Sequence, residues 1–443
     1  MTQLPPGPAM PQLLWQVRGI VAPLELLDEA HNTYGDLFRL PYDYPAVCVC
    51  SPTGLQAVFT APPAILESHQ RGSVFDLVMG EQALVFLEGK AHQRHRQLLM
   101  PPFHAEQLQR WGTEIAQQTR QSLAQLPPQS TFNVREVMKQ IALTVILQVV
   151  VGSSSSYLRH RLHSLLFAFF EGAESPLSTA ALLFPFLRID WGKWSPWGYF
   201  LAQKRQINQI LLQEIRQRQE FALSSGQSDL LGLLLQVGDE AGQGLSLTEI
   251  CDELLMLVFA GYETTTSAIV WTLYWVLLLP AVKTRLEAEL QRLADPHDAL
   301  AIAQLPYLSA VCQEVLRIYP VAIGAFARRV RQPFELDGYR LPVGTVISPS
   351  IYLAHRRQSV YPNPRQFDPE RFVGRSVSAY EYLPFGGGNR RCLGASFALF
   401  EMKLILATVL QSVPLSLLSA ERVEPVRYGI TMVPPIGLQM RRQ

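Results

Sequence analysis

The 443-residue chain carries nothing that divides it: no Ser/Gly-rich linker, charge block, low-complexity tract or repeat. Its length alone would suggest two or three domains, but without a divider a single domain over 1–443 is expected. Charge of one sign is lacking too. With 38 Lys plus Arg against 37 Asp plus Glu, net +1, and no long basic stripe, the composition argues against a nucleic-acid partner. Cysteines are few: five, an odd number without scaffold spacing or close pairs of metal-ligand type. That argues against a disulfide framework and, with no signal peptide, points to a reducing cytoplasm. No nicotinamide or flavin fingerprint is present, because Gly386-Gly387-Gly388 does not join a strand to a helix in a nucleotide-binding unit. The chain reaches Leu4-Pro5-Pro6-Gly7-Pro8 almost at once, leaving no room for an apolar anchor, so a soluble protein is expected. What it does have is 48% hydrophobic residues, enough for a deep core.

Strand-like stretches at 36–40 and 46–50 open the chain, between the turn signals Tyr34-Gly35 and Ser51-Pro52. Helical periodicity then dominates from about 90 to 320. Strand signals return at 334–341, with Asp337-Gly338 as a hairpin turn, and at 345–351. The expected class is mainly α with small β-sheets, its β-rich lobe at about 30–70 and 321–351. Residues 264–282 carry no charge over a bilayer-spanning length, but they follow Glu263 directly and reach Pro280, and are read as a long core helix. Two readings stand for the apolar run 180–187 with Trp191, Trp194 and Trp197: core packing, or a lip over a lipophilic entrance that makes peripheral membrane contact through 180–197.

The most informative run is Phe385-Gly386-Gly387-Gly388-Asn389-Arg390-Arg391-Cys392-Leu393-Gly394, directly before a helical pattern over 395–404. A cysteine at a helix N-terminus meets unpaired N–H groups and the positive end of the dipole, which favour the thiolate. The glycines let the chain turn tightly and lie flat beneath a planar ligand. Arg390 can pair with a carboxylate at that ligand's rim. One thiolate, an aromatic and a basic partner suit haem better than zinc or an iron–sulfur cluster, which call for several cysteines. The pattern Phe385-x-x-Gly388-x-Arg390-x-Cys392-x-Gly394 closely resembles the haem-binding signature of the cytochrome P450 family. The resemblance implies a triangular helical fold with a β-rich lobe, and haem b held between the Cys392 loop and the helix containing Glu263. Phe385, Gly386 and Gly394 would line the cofactor, with Ala260 and Gly261 on its other side.

In Ala260-Gly261-Tyr262-Glu263-Thr264-Thr265 a carboxylate and a hydroxyl sit in an apolar helix beginning near Leu247, and burying them costs several kcal/mol unless something uses them. Gly261 leaves room for a ligand, and Thr264 can bond back to a carbonyl and bend the helix. The segment resembles the family's oxygen-activation motif, which makes Thr264 the alcohol and Glu263 the acid of a proton-delivery pair. Glu314 and Arg317 share a helix face at i,i+3. The resemblance joins them to Arg371, in Pro369-Glu370-Arg371-Phe372, as a buried structural ion network. By the same matching, Arg390, His92, Arg96 and Arg328 are the cations for the haem propionates, while His355 is a structural feature and no ligand.

The resemblance places Phe86, Phe259, Ala260, Thr264, Ile323, Phe326 and Ile430 about the substrate. These are overwhelmingly apolar, so a fatty acid, retinoid or terpenoid would fit. Arg71 would hold a carboxylate at the entrance, or is simply an exposed arginine. Substrate, O2 and electrons from a separate ferredoxin- or flavodoxin-type protein are the implied partners, with Arg391, Lys403 and Arg94 adding positive charge for docking. A peroxide-driven or rearranging haem-thiolate enzyme would not need Glu263 and Thr264, and a haem-based gas sensor would need an output domain that the sequence does not contain.

Overall fold

In the computed structural model, residues 4–68, 78–101, 105–152, 156–174, 188–221, 229–239, 242–428 and 431–443 are described. The chain separates into two compact units: Met1–Gln70 with Leu126–Arg135 and Ser267–Gln443, and Arg71–Gln125 with Glu136–Thr266.

Every strand among the described residues lies in the first unit. In chain order these are β1 (Leu37–Arg39), β2 (Ala46–Val49), β3 (Leu66–Ser68), β4 (Thr131–Asn133), β5 (Arg328–Val330), β6 (Phe334–Leu336), β7 (Tyr339–Leu341), β8 (Val346–Pro349), β9 (Leu415–Leu417), β10 (Val426–Tyr428), β11 (Thr431–Val433) and β12 (Gln439–Arg442). The main sheet runs β1-β2-β8-β5-β3, with β2 parallel to β8, so both stretches expected to form the β-rich lobe share one sheet. Strand β2 is buried on both faces, as its unbroken apolar run requires. Val47 and Val49 join Leu55, Val58, Phe59 and Ile347 on one side, while Ala46, Cys48 and Cys50 join Trp15, Leu26 and Phe38 on the other.

Asp337 and Gly338 close the β6–β7 hairpin with φ of 44° and 84°, the positive pair that a two-residue turn between right-twisted strands needs. The Asp337 carboxylate then accepts from Ser51 Oγ at 2.6 Å, and Ser51 caps the helix Pro52–Thr60 by accepting from the Gly54 N–H at 3.0 Å. Two further small sheets, β4-β12-β9 and β10-β11, are absent from the sequence reading. Most of their strands are three residues long, too short to establish a period of two.

The second unit is helical among its described residues, with Gly89–Leu99, Ala105–Ala124, Ser156–Glu174 and Pro196–Phe221 among its helices. Rings from three helices interlock there: Phe169 on Phe200 at 4.9 Å, Phe170 on Phe259 at 5.3 Å and on Tyr262 at 5.4 Å. Trp197, at 5.3 Å from Phe200, belongs to this core, whereas Trp191 and Trp194 are exposed, Trp194 by 94%. Trp197 thus answers to the core-packing reading, while Trp191 and Trp194 are exposed; 180–187 lie outside the described residues.

The Leu247–Leu278 helix has its first part in the second unit and Ser267–Leu278 in the first. It opens with a capping box: the Ser246 N–H donates to Glu249 Oε2 at 2.7 Å and the Glu249 N–H to Ser246 Oγ at 3.3 Å. It ends at Leu278, before Leu279 in extended conformation and Pro280 as the first residue of the next helix. Its apolar stretch is a core helix, as expected. Trp271 packs on Tyr319 at 4.2 Å and Trp275 on Phe367 at 4.7 Å. This helix and Ala395–Ser412 are both long and apolar enough to cross a bilayer, but 78% and 61% of their apolar windows are buried within the protein.

Candidate functional site

In the first unit the Cys392 loop is closed by its own backbone. The Cys392 N–H donates to the Phe385 carbonyl at 2.9 Å, the Gly386 N–H to Leu383 at 2.9 Å and the Arg391 N–H to Gly388 at 3.1 Å. The following helix begins at Ala395 with Gly394 at its N-cap, so Cys392 stands two residues ahead of the cap. Gly386 and Gly388 have φ of 69° and 65°, which only glycine adopts readily.

The structure gives two of the glycines a different reason from the one the sequence suggests. A Cβ on Gly387 would come within 2.5 Å of the Phe59 ring, and one on Gly388 within 2.4 Å of the Phe59 carbonyl oxygen. They are small so that the loop can pack on the Pro52–Thr60 helix, not to clear a ligand. At Gly394 a Cβ would meet nothing within 4 Å.

Among the five cysteines Cys392 alone is exposed. Burial pushes the thiols of Cys48, Cys251 and Cys312 up to about 12, and that of Cys50 well above its ordinary value. Those four are held as thiols, so Cys392 is the cysteine suited to ligate a metal.

Arg328 is brought near this loop. It is buried, its guanidinium lies 6.0 Å from the Phe59 ring, and Ala325, three residues before it, lies 3.6 Å from where a Gly386 Cβ would stand. Its hydrogen bonds go to the Phe326 and Ala327 carbonyls, and burial lowers its pKa to about 10. No carboxylate among the described residues pairs with it. A buried guanidinium without a counter-ion suits an anionic group such as a propionate. Arg390 is half-buried at the end of the 3-10 turn Gly388–Arg390.

The ion network is as expected. Glu314 and Arg317 are 0% exposed and joined by a fork, Arg317 Nε to Oε2 at 2.6 Å and Nη2 to Oε1 at 2.8 Å, with Arg371 Nε at 3.2 Å from Oε1. Its connection onward was not legible in the sequence. Arg317 Nη1 donates to the His355 carbonyl at 2.9 Å, and His355 Nε2 accepts from the Leu383 N–H at 2.9 Å. Leu383 in turn holds the Gly386 N–H, so hydrogen bonds run unbroken from Glu314 to the Cys392 loop. Burial, with the charges of Arg317 and Arg356 adding to it, lowers the His355 pKa to about 3, which keeps the ring neutral and able to accept.

In the second unit the Leu247–Leu278 helix is buried at every position from Ile250 to Val258, but at 259–261 and 264 its surface opens: Ala260 and Thr264 are exposed, Phe259 and Gly261 half-buried. Thr264 Oγ1 donates to the Ala260 carbonyl at 2.5 Å, the back-bond the sequence anticipates. Glu263 is buried beside it. Gly261 again has a different cause: a Cβ there would stand 2.8 Å from Ile146 Cδ1, so the glycine admits the neighbouring helix rather than a ligand. His92 is buried and Arg96 half-buried, one turn apart on Gly89–Leu99.

Of the pocket residues, Phe86 is buried, Phe259 packs edge-on against Phe170, and Phe326 is 39% exposed. Ile323 leans on the core cluster of Trp15 and Phe38, and the Met432 N–H donates to the Val321 carbonyl at 2.9 Å, bringing the 321–326 segment to β11. Ile430 and Arg71 lie outside the described residues. The docking cations need correction. Lys403 Nζ is part-buried and donates to the Ala303 carbonyl at 2.6 Å, while Arg94 pairs with Asp239 at 2.8 Å and Glu249 at 3.6 Å. Of the three, Arg391 is exposed.

Glu401, on the helix after Cys392, is missing from the sequence reading. It is 1% exposed and neither carboxyl oxygen has a hydrogen-bond partner among the described residues. Burial raises its pKa well above the ordinary 4.5, so the folded protein keeps it protonated while the unfolded chain ionises it. Its contribution to stability is therefore present below pH 4.5 and lost as pH rises. Glu401→Leu is expected to raise stability at neutral pH by about 1–3 kcal/mol and to flatten that slope, read by denaturant unfolding at several pH values.

The family model described as Cytochrome P450 matches residues 3–440. Putative cytochrome P450 135A1 of Mycobacterium tuberculosis is 33% identical over 99% of this chain and 95% of its own, and putative cytochrome P450 138 of the same organism 30% identical over 100% and 97%. Among solved structures, the retinoic acid-bound cyanobacterial CYP120A1 superposes with a TM-score of 0.85 at 24% identity, covering both chains fully. The cytochrome P450DA heme domain gives 0.85 at 21%, over 100% of this chain and 98% of its own.

Proposed function

Because the chain belongs to the cytochrome P450 family, whose members are haem-thiolate monooxygenases using O2 and a redox partner, we propose that it hydroxylates or epoxidises a fatty acid, retinoid or terpenoid. Residues 1–443 act as one catalytic domain, and a ferredoxin- or flavodoxin-type protein delivers the electrons one at a time. The haem, when bound, supplies the redox-active iron at which O2 is reduced by two electrons and two protons, one oxygen atom going to substrate and the other to water.

The observation that carries this reading is the pairing of chemistries: one exposed cysteine in a closed loop, and a helix whose buried surface opens at the alcohol Thr264, with the acid Glu263 buried next to it in the chain. Cys392 would hold the haem iron through its thiolate. Phe385, Gly386, Gly394 and Ala260 would border the haem, and Arg390, Arg328, His92 and Arg96 would take its propionates. Glu263 and Thr264 hold and pass protons, the Thr264 hydroxyl being oriented by its bond to the Ala260 carbonyl. The residues matched to the substrate site, Phe86, Phe259, Ile323 and Phe326 among them, are apolar, which favours a lipid over a polar metabolite. Arg391 contributes to partner docking, and Trp191 and Trp194 are the residues that would touch a membrane surface.

The substrate class is tested by titrating the ferric holoprotein with fatty acids, terpenoids and retinoic acid, the ligand of the cyanobacterial structure, and following the spin shift of the Soret band. A saturable shift that predicts turnover supports the class; shifts only with small polar ligands would overturn it. Thr264→Ala is expected to keep substrate affinity and reductant consumption while product per reducing equivalent drops by about tenfold to a hundredfold. Unchanged coupling would remove Thr264 from proton delivery.

A further inference from the structure

We propose that His95 is a positioning residue which, as a doubly held imidazolium, fastens the helix carrying His92 and Arg96 to the first turns of the Leu247–Leu278 helix. This deepens the function proposed above and rests on it, since His92 and Arg96 are what the fastening would place.

His95 is 2% exposed, with Nδ1 2.7 Å from Glu253 Oε1 and Nε2 3.1 Å from Glu249 Oε1. A neutral imidazole carries one N–H and can donate to only one carboxylate; the imidazolium donates to both. Both acceptors are themselves fixed. Glu249 belongs to the capping box with Ser246, and Glu253 is 0% exposed, takes the Leu84 N–H, and has its Oε2 buried without a partner. Burial raises the Glu253 pKa and the His95 charge opposes that rise, so without His95 the carboxylate form of Glu253 would lose what offsets its burial.

The other groups around the cluster come from several elements. Arg94, on the same helix as His95, reaches Asp239 and Glu249; Asp252 adjoins Glu253 and accepts from the Gln82 N–H at 3.0 Å; Glu81 and Lys204 act on Asp252 from the preceding loop and from Pro196–Phe221. Burial alone would lower the His95 pKa, but the hydrogen bonds and charges of Glu253 and Glu249 outweigh it and raise it above 6.5. The sign follows. The fastening is complete below pH 6.5 and is lost as pH rises through the higher folded-state value. His92 lies three residues before His95 and Arg96 one after, on a continuous helix, so the register set at His95 sets both.

The test measures haem loss from the holoprotein to a haem-scavenging globin, from about pH 5.5 to 9, with no turnover involved. Wild type should release haem slowly at low pH and about tenfold faster once His95 deprotonates. His95→Gln should be fast throughout, with no step, while keeping its far-UV circular dichroism. Glu249→Gln, which keeps an oxygen able to accept from the Ser246 N–H but removes the charge facing His95, should keep the step but move it to lower pH. A wild-type rate and step in His95→Gln, or an unmoved step in Glu249→Gln, overturns the proposal. His92→Gln and Arg96→Gln separate the two layers. If neither changes haem loss, the assignment of those residues to the haem is what fails, and the positioning role fails with it on that separate ground.

Discussion

Cys392→Ala protein, reduced and exposed to carbon monoxide, should lack the strongly red-shifted Soret band of a thiolate-ligated haem, and its oxygenation should fall to background. No other cysteine can take over. Cys48 and Cys50 face the core packed on the main sheet, Cys251 and Cys312 are buried in helices, and burial holds all four as thiols far from titration at neutral pH. The loop should persist in the variant, because its closure depends on the Cys392 N–H rather than on sulfur. Normal circular dichroism with lost haem spectrum is therefore the expected pair of results, and Cys312→Ala is the control that keeps the band. A Cys392→Ala protein with the red-shifted band would end the haem-thiolate reading.

Arg317→Leu should be the most destabilising single change in the first unit. It leaves Glu314, which is 0% exposed, with Arg371 as its remaining cation and removes the donor from the His355 and Pro364 carbonyls at once. Breaking a buried pair by deleting one partner costs about 3–5 kcal/mol, and Arg371 should bring the loss to the lower end of that range. Glu314→Leu with Arg317→Leu should cost less than the sum of the two singles, since the double change leaves no orphaned member of that pair. The cooperative unfolding midpoint and the yield of haem per protein are the readouts. Haem yield should fall further than secondary structure, because the hydrogen-bond path from Arg317 through His355 to Leu383 ends on the Cys392 loop. An Arg317→Leu protein as stable as wild type would show that the network carries no such burden.

Local chemistry was readable wherever a short stretch of chain suffices to define it. Asp337-Gly338 announced a hairpin because few residues accept two successive positive φ values, and Pro280 marked the end of the apolar helix because proline cannot continue one. Thr264 was expected to bond back to a carbonyl because a helical threonine hydroxyl reaches the preceding turn, and it bonds to Ala260. The Ser246–Glu249 capping box was equally local and was overlooked; serine three residues before glutamate at the foot of an apolar run was the available signal.

What failed had one physical origin. Glycines at 261, 387 and 388 were read as room for a ligand, whereas Ile146 and Phe59 fill that room; Lys403 and Arg94 were read as surface charge, whereas Ala303 and Asp239 hold them. Composition and period show that a position is small, charged or buried, and so the cysteine, the acid–alcohol pair and the mainly helical class could be named from residue order alone. They do not show which group stands opposite. His95 meets Glu253 across 158 residues and His355 meets Leu383 across 28, and Glu401 finds no hydrogen-bond partner among the described residues. Such pairings arise only when helices pack, because burial removes water as the alternative partner and leaves each polar group to whatever the packing has brought within reach.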